Sequence, residues 1–321
     1  MELKTKDLNL LSYMYHNANK SISRIAKETN LTKDQVSYRL KRYISEGLIT
    51  KFSTIFNYSS LGYNCFSLIF LKFEKSSSSD KFLQKLGKNK CCISYGKLLG
   101  KYDIYINAIF KDEKELGDYI SNLVSDKENP IFDYLILKPY FAELYPLKIF
   151  NENINENITL IENRDKSLKV TKEEIEILKI LEKDSTTPLV KIASKLKISP
   201  ELAFYKLKKL KQEKIILGSR IQFNMKRLGY FFSVIFLNIP NLSEQNKNKL
   251  KTFVKRATNI NTLSFSLAKP NCLIQIFFKE EKEFRETIEG IKELFKEEQM
   301  NLEIVHIFEE EKELNTLPFF N

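Results

Sequence analysis

The feature that most constrains the fold of this chain is an internal repeat. When the 321-residue sequence is shifted by 167 positions, Ile25-Ala26 aligns with Ile192-Ala193, and Leu61-Gly62-Tyr63 aligns with Leu228-Gly229-Tyr230. The alignment continues without a gap over roughly seventy positions, which indicates two copies of one structural unit. Further identical pairs are Tyr38 and Tyr205, Leu40-Lys41 and Leu207-Lys208, Ile49 and Ile216, and Phe56-Asn57 and Phe223-Asn224.

Each copy begins with a pattern that is typical of a helix-turn-helix. In the first copy, two short amphipathic patterns within residues 21–49 flank a polar turn, and a further helix is predicted over Lys6–Asn17. Thr32 and Gln35 have the spacing of a capping box, which places the start of the third helix at Thr32. Three short helices, of which the last is basic, predict a DNA-binding module. The buried face of the third helix is predicted to comprise Val36, Leu40, Tyr43 and Ile44.

The opposite face of this third helix carries an amide, a phenol and several cations, groups that suit the base edges and phosphates of a DNA major groove. The repeat replaces Gln35 by Leu202 and Arg42 by Lys209, so we expect the first module to read bases and the second to hold mainly phosphates. For the charged face of the third helix, the alternative interpretation is a solvated surface. For the second module, the alternative is that Leu202 and Phe204 pack within their own module, which leaves its phosphate role unchanged. The predicted DNA contacts are Lys33, Gln35, Ser37, Tyr38, Arg39, Lys41, Arg42, Tyr205, Lys206, Lys208 and Lys209.

The distribution of charge agrees with this interpretation. The chain has a net charge of +11, and the segments 1–54 and 170–223 carry +5 each, which leaves +1 for all other residues. Positive charge concentrated on two compact helical modules indicates phosphate binding, and the predicted partner is double-stranded DNA.

A second pattern follows each helical module, in the order strand, helix, strand, strand, helix, strand. This order is that of a ferredoxin-like βαββαβ unit. The first strand of each copy is apolar on both faces, so the sheet requires a cover on both sides, and the sheet of the other copy is the economical candidate. The predicted strands are 63–73, 91–99, 102–110, 131–143, 230–239, 260–268, 272–278 and 302–309, and the predicted helices are 80–87, 112–125, 244–256 and 281–297.

The predicted fold class is therefore α+β, with two helix-turn-helix modules alternating with two ferredoxin-like domains. The modules occupy residues 1–54 and 170–223, the second being degenerate, and the ferredoxin-like domains occupy 55–150 and 224–321. The polar, Asn-rich segment 151–169 is predicted to be a linker.

Several function classes are disfavoured by the sequence. No apolar run approaches the ~18 residues of a membrane helix, and the charged N-terminus lacks the apolar region of a signal peptide. The four cysteines have no framework spacing, which predicts reduced core thiols in a cytoplasmic protein. The predicted location within the cytoplasm is the nucleoid. No nucleophile–base pair, metal-ligand spacing or phosphate loop is visible, so neither enzymatic activity nor a cofactor is predicted.

The sequence resembles the leucine-responsive regulator (Lrp/AsnC) family of transcription regulators. The resemblance lies in SISRIAKETNLTKDQVSYRLKRYISEGLI, in SSLGY and in LGKYDIYINAIF. It implies winged helix-turn-helix modules joined to ferredoxin-like effector domains, and regulation by amino acids or similar metabolites. Because typical members have one unit per chain and dimerise, we also expect this chain to mimic the dimer internally. The outer surfaces leave higher homo-oligomers open.

In that family, the turn between the second and third strands of the effector domain helps to line the effector site. The resemblance therefore predicts an amino-acid site at Gly100, Lys101, Tyr102 and Asp103. The alternative is that Gly100 and Asp103 only shape a hairpin, since both residue types are common in turns. The second copy lacks this glycine and acid, so we expect one effector site per chain.

Two other functions remain open at this point. Sirohaem decarboxylases look like Lrp/AsnC proteins, but they are associated with histidines and arginines around a tetrapyrrole, whereas this chain has only His16 and His306. The other alternative is a protein-interaction adaptor whose DNA-binding modules are relict. The charge of +5 on each module disfavours this alternative.

Overall fold

The computed structural model of the chain describes residues 3–75, 82–86, 89–128, 131–152, 157–161, 168–307, 312–313 and 316–320. The predicted helix at 80–87 lies partly outside these residues. The first copy comprises α1 (Thr5–Asn17), α2 (Ile22–Glu28), α3 (Lys33–Ser45), β1 (Ile49–Phe56), β2 (Cys65–Phe73), α4 (82–86), β3 (Cys92–Leu99), β4 (Ile104–Phe110), α5 (Glu113–Val124), β5 (Ile131–Leu137), β6 (Pro139–Leu144) and β7 (Ile158–Ile161).

The second copy repeats this order of helices and strands. Its elements are α6 (Lys172–Lys183), α7 (Leu189–Leu196), α8 (Pro200–Gln212), β8 (Ile216–Phe223), β9 (Phe231–Asn238), α9 (Glu244–Arg256), β10 (Ile260–Ser266), β11 (Cys272–Phe278), α10 (Glu281–Leu294), β12 (Asn301–Ile307) and β13 (Lys312–Glu313). None of the helices that the structure describes is long and apolar enough to cross a membrane.

The third helix of each helix-turn-helix module begins at the residue whose side chain caps it. The Thr32 hydroxyl accepts a hydrogen bond from the Gln35 amide N–H at 3.2 Å, and the Gln35 side-chain oxygen accepts one from the Thr32 N–H at 3.2 Å. This reciprocal pair confirms the predicted capping box and fixes the start of α3. In the second copy, the Ser199 hydroxyl accepts from the Leu202 N–H, so α8 begins at the equivalent position.

The strands of the two ferredoxin-like domains form one hydrogen-bonded antiparallel sheet. Its two halves, called here the first and the second sheet, each have the ferredoxin-like order and meet edge to edge. The first sheet runs β5-β2-β4-β3 and the second runs β12-β9-β11-β10. The pairs Leu99–His306 and Leu98–Ile307 join β3 to β12. The helices of each copy cover the outer face of its sheet, in apolar clusters that include Leu116 in the first copy and Leu250 in the second.

The two sheets cover each other's inner faces, as strands that are apolar on both sides require. The rings of Phe70 and Phe236 meet edge to face, with centroids 5.0 Å apart. Burying aromatic rings in this way stabilises the contact by area and by ring geometry. The inter-sheet core contains Phe70, Leu98, Tyr102, Tyr105 and Leu137 from the first copy and Val234, Phe236, Leu273 and Val305 from the second.

The predicted strand 131–143 is wrong in one respect, because it consists of two strands that enter different sheets. β5 pairs with β2 of its own copy, whereas β6 crosses over and pairs with β10 of the other copy. The break falls at Pro139, whose nitrogen has no hydrogen to donate to a continuing ladder. The exchange is reciprocal, since β13 of the second copy pairs with β3 of the first.

The segment 151–169 is not wholly a linker as predicted, because β7 within it pairs with β6. Its four residues Ile158–Ile161 are half-buried and extend the second sheet by one strand. The polar composition around this short apolar run concealed the strand.

The strands that follow the two helix-turn-helix modules pair with each other in an antiparallel β1–β8 ribbon. Each strand packs against the helices of the other module. The Thr54 hydroxyl of β1 donates to the Leu181 carbonyl of α6 at 2.7 Å, and the Ser219 hydroxyl of β8 accepts from the Asn19 N–H, just after α1, at 3.1 Å. The ribbon therefore holds the two modules together.

Candidate DNA-binding face and inter-sheet cavity

The outer face of α3 is composed of polar side chains and one aromatic ring. Tyr38 is 66% exposed, and Lys33, Gln35 and Lys41 are also exposed, while Ser37 is half-buried. The buried residues of α3 are Val36 and Tyr43, as expected, and Leu40 is half-buried. The prediction for Ile44 is wrong, because its side chain is 49% exposed.

Two of the predicted DNA contacts, Arg39 and Arg42, bind a buried carboxylate instead of facing away from the module. Arg39 Nε lies 3.1 Å from Asp7 Oδ1, and Arg42 NH2 lies 3.5 Å from the same oxygen. The buried Tyr43 hydroxyl also donates to Asp7. A buried carboxylate requires such partners, so both guanidinium groups turn toward α1. The outward placement predicted for Arg42 is therefore wrong, while the contact of Arg39 and Arg42 with DNA stays a prediction.

The second module contains the same arrangement in weaker form. Lys209 Nζ lies 3.0 Å from the buried Glu174, and Lys206 Nζ lies 3.7 Å from Glu173 and 3.3 Å from the Thr171 hydroxyl. The predicted phosphate contacts Lys206 and Lys209 are thus held by the first helix of their own module. The shift of 167 aligns Asp7 with Glu174, a signal in the sequence that could have identified both ion pairs.

The remaining outer face of α8 is more apolar than that of α3. Tyr205 is 65% exposed at the position of Tyr38, and Lys208 is exposed at the position of Lys41. The alternative that Leu202 and Phe204 pack within their own module is wrong, since they are 42% and 57% exposed.

Electrostatics keep the first carboxylate ionised. Burial raises the pKa of Asp7, but hydrogen bonds from the Tyr43 hydroxyl and the Lys4 N–H, together with the charges of Arg42 and Arg39, outweigh it, and the net pKa lies below the ordinary value. The net pKa of Glu174 is lowered in the same way: burial raises it, and the Thr171 N–H and Lys209 outweigh that effect. Both pairs are therefore charged at neutral pH.

The turn predicted as an effector site is closed by its own hydrogen bonds. Asp103 Oδ1 accepts from Lys72 Nζ at 2.7 Å, and Asp103 Oδ2 accepts from the Phe73 N–H at 2.8 Å. The backbone of Asp103 also bonds to Leu71 and Leu98. These bonds give Asp103 the role of fixing the β3–β4 turn against β2, which is the hairpin alternative.

The other residues of this turn divide between surface and core. Gly100 has φ +131° and no neighbouring atom within 4 Å of a Cβ built there, so its role is conformational. Lys101 extends over the ring of Tyr102, at 5.3 Å from its centroid. Tyr102 is buried in the inter-sheet core, where it stands 5.7 Å from Phe70. Asp103, Lys101 and Tyr102 thus all make contacts within the chain, and an amino-acid site at this turn stays a prediction.

A cavity of about 200 Å³ lies between the two sheets and the β1–β8 ribbon, a position that the sequence did not indicate. Most of its wall is apolar, from both copies. Its polar lining includes Ser94 and Asn107 from the first sheet, Ser264 and Gln275 from the second, and Arg220 from β8. We call it the inter-sheet cavity.

The two histidines and the cysteines stand apart from these surfaces. His306 Nδ1 lies 2.8 Å from the Ser233 hydroxyl, and His16 stacks on Tyr15, so both have structural partners. The four cysteines are free thiols, of which three are buried. Within the described ranges, no group of His, Cys, Asp and Glu could hold a metal ion.

Comparison with known proteins places the module in a DNA-binding family. The family model for winged helix-turn-helix DNA-binding domains matches residues 3–50. The HTH-type transcriptional regulator Ptr1 of Methanocaldococcus jannaschii is 30% identical over 118 residues, which cover 37% of this chain and 79% of that protein. An uncharacterized HTH-type transcriptional regulator of Pyrococcus horikoshii, PH1692, is 25% identical over 127 residues, 39% of this chain and 84% of its own.

Solved structures resemble both the single unit and the whole chain. The siroheme decarboxylase NirDL has a TM-score of 0.65 at 14% identity, and the match covers 99% of this chain and 96% of the NirDL chain. This similarity concerns the fold alone. E. coli AsnC covers 43% of this chain and 91% of its own, with a TM-score of 0.38 at 19% identity. The match of its helix-turn-helix and its similarity to transcriptional regulators show that the chain belongs to the Lrp/AsnC family of transcription regulators, with two units in one polypeptide.

Proposed function

We propose that a single chain binds one DNA duplex through both modules, with α3 reading base edges and α8 holding phosphates. The observation that supports this is the equivalent exposure of Tyr38 and Tyr205 on two recognition helices joined by the β1–β8 ribbon. Two such helices address half-sites about one helical turn, or a multiple of it, apart. Because the copies differ, the sites would be imperfect palindromes.

The base-reading residues of this proposal are Gln35, Tyr38 and Lys41, with Lys33 and Ser37 at the start of the helix. Arg39 and Arg42 position α3 against α1 through Asp7, and their remaining N–H groups lie near the backbone of bound DNA. In the second module, Tyr205 and Lys208 face DNA, while Lys206 and Lys209 position α8. Phosphate contacts of this kind set orientation, and base contacts set specificity.

The proposal is tested by selecting bound genomic fragments with the purified protein and measuring affinity by fluorescence anisotropy at several salt concentrations. Lys41→Gln and Gln35→Ala should each cost about 1–3 kcal/mol and relax sequence preference, while Lys208→Gln should weaken all DNA equally and lower the salt slope by about 1. Lys296→Gln, at an exposed position after α10, is the control. Equal loss of sequence preference from Lys41→Gln and Lys208→Gln would contradict the division of roles.

We also propose that a small metabolite regulates this binding, and that the protein is not an enzyme and works at the nucleoid in the cytoplasm. The siroheme decarboxylase fold makes tetrapyrrole chemistry the second candidate. Two observations speak against it: the inter-sheet cavity of about 200 Å³ is smaller than the 300–1,000 Å³ of ordinary ligand pockets, and neither histidine lines it. Incubation with sirohaem, followed by mass spectrometry of the pigment, tests this, and any decarboxylated product would favour the enzyme.

The proposal further holds that one chain suffices for binding, because the two sheets already bury each other's inner faces. Sedimentation of the protein with and without DNA measures this. A monomer that binds one duplex agrees with the proposal, and a strict requirement for a second chain contradicts it. Association through outer surfaces would add higher homo-oligomers without changing the site.

A further inference from the structure

The outer face of α8 carries apolar side chains at positions where α3 carries polar ones. Leu202 is exposed where α3 has Gln35. Phe204 is exposed where α3 has Ser37. These two side chains flank the exposed ring of Tyr205, which both helices share in equivalent positions. Two apolar replacements on one helix face, absent from the sister helix, give α8 an outer surface of different chemistry.

The polar groups of α8 do not compensate for this change. Lys206 and Lys209 are paired with carboxylates of α6, and Lys208 is exposed on the outer face. Glu201 on the same face has an acidic counterpart in Asp34 of α3, so it does not distinguish the two helices. The outer face of α8 thus presents one cation for a phosphate, beside side chains that neither donate nor accept hydrogen bonds.

The charge around this face favours a nucleic acid as its occupant. Residues 170–223 carry a net charge of +5, almost half of the +11 of the whole chain. Such a concentration of positive charge attracts a phosphate backbone. The β1–β8 ribbon also joins this module to the first one, so α8 belongs to the same DNA-binding unit as α3.

The bases of DNA differ in what they offer to an apolar side chain. In the major groove, the C5 methyl group of thymine is the apolar feature of the base-pair code, and the other features are hydrogen-bond donors and acceptors. An apolar side chain over a G·C pair displaces water from these polar groups without replacing its hydrogen bonds, which costs free energy. Over an A·T pair, the same side chain gains the burial of a methyl group.

We propose that α8 selects thymine in the half-site that it faces, through contacts of Leu202 and Phe204 with C5 methyl groups in the major groove. Lys208 keeps its phosphate contact, so the helix combines orientation by charge with a preference set by apolar contact. This preference rests on the proposed function, because it requires that the second module bind DNA. It adds to that function a chemical class of half-site, A·T base pairs whose thymine methyl groups face α8.

The test replaces thymine by uracil in a duplex that the protein binds, in one half-site at a time, and measures the affinity of the full chain by fluorescence anisotropy. Uracil keeps the hydrogen-bonding groups of thymine and lacks only its methyl group. We expect uracil in the half-site of α8 to weaken binding about fourfold for each contacted methyl group. Unchanged affinity with uracil in either half-site overturns the proposal.

The double variant Leu202→Gln/Phe204→Ser assigns the effect to α8, because it introduces the residue types of α3 at these two positions. It should bind the thymine and uracil duplexes equally at that half-site. The helix should stay folded, since position 202 is the third residue of α8, where a glutamine caps the helix as Gln35 does in α3. Leu267→Gln, at an exposed leucine between β10 and β11, is the matched control and should keep the uracil effect. An undiminished uracil effect in the double variant contradicts the assignment.

The salt dependence of binding separates the methyl contact from the phosphate contact. A methyl contact releases no counterions, so uracil should leave the salt slope unchanged, whereas Lys208→Gln should lower it by about 1. If the chain binds no duplex at all, the proposed function fails and the thymine preference fails with it. If the chain binds duplexes and is indifferent to uracil, the proposed function stands and the thymine preference alone is refuted.

Discussion

The carboxylate of Asp7 offers a sharp test of how the first helix-turn-helix is held together, through the substitution Asp7→Ala. Asp7 is buried and receives the hydroxyl of the fully buried Tyr43, the guanidinium of Arg39 at 3.1 Å and the Lys4 N–H at 3.1 Å. Leaving a buried hydroxyl without a partner costs about 1–3 kcal/mol, and a half-exposed ion pair contributes about 0–1 kcal/mol. We therefore expect a loss of about 3 kcal/mol in the stability of this module.

The second module provides the matched control. The equivalent substitution is Glu174→Ala, and the residue equivalent to Tyr43 is Leu210, so no buried hydroxyl loses its partner there. What is lost at Glu174 is chiefly its capping bond with the Thr171 N–H at 2.7 Å, which is worth about 1 kcal/mol. The two substitutions should thus differ by about 2 kcal/mol.

Hydrogen exchange measured by mass spectrometry is the suitable assay, because a chain with several modules does not unfold in a single two-state step and exchange resolves each module separately. The double variant Asp7→Ala/Tyr43→Phe removes the hydroxyl as well and should recover about 1–2 kcal/mol. The reasoning is refuted if Glu174→Ala costs as much as Asp7→Ala, or if Tyr43→Phe rescues nothing.

Three further predictions follow from the same structure. Because the folded pKa of Asp7 lies below its ordinary value of 3.8, its stabilisation should be complete above that pH and disappear as the pH falls below it. Urea titrations at several pH values should therefore show a larger loss for the parent than for Asp7→Ala, in which Glu174 still contributes its own loss. Gly96→Ala places a Cβ 2.2 Å from the ring of Tyr105 and should destabilise by about 1–3 kcal/mol, whereas Gly117→Ala, on an open helix face, should stabilise by about 0.5–1 kcal/mol, as melting temperatures would report. Burial raises the pKa of Cys91 to about 11, so its alkylation at pH 8 should be slow and should accelerate toward pH 11, as peptide mass spectrometry can follow.

The order of elements could be read from the sequence because local patterns determine it. The spacing of Thr32 and Gln35 fixed the start of α3, and alternating apolar residues indicated the strands. The apolar character of both faces of β2 and β9 also predicted the sheet-on-sheet contact that Phe70 and Phe236 make. These signals involve neighbours in the chain or the summed polarity of one strand.

The features that sequence reasoning missed depend on long-range partners. A helical wheel put Arg42 on the outer face, but a long side chain can turn back toward a carboxylate, and the position of Asp7 becomes clear only once α1 packs on α3. The break between β5 and β6 needed the position of β10 as well as the proline. The inter-sheet cavity arises where Arg220 and residues of both sheets meet, and no local pattern encodes it.

The reciprocal exchange of β6 and β13 has a consequence for synthesis on the ribosome. β6 ends at residue 144, and its partner β10 begins at residue 260, which is translated 116 residues later. At about 5–20 residues per second, the edge of β6 that pairs with β10 stays unpaired for about 6–23 s, while its other edge can pair with β7 once residues 158–161 are translated. An unpaired strand edge is a template for association with another nascent chain. Fusing the two copies removes the need for two separate chains to meet, but it delays completion of the sheet until the second copy is translated. Slowing translation of the second half should therefore increase aggregation of the first.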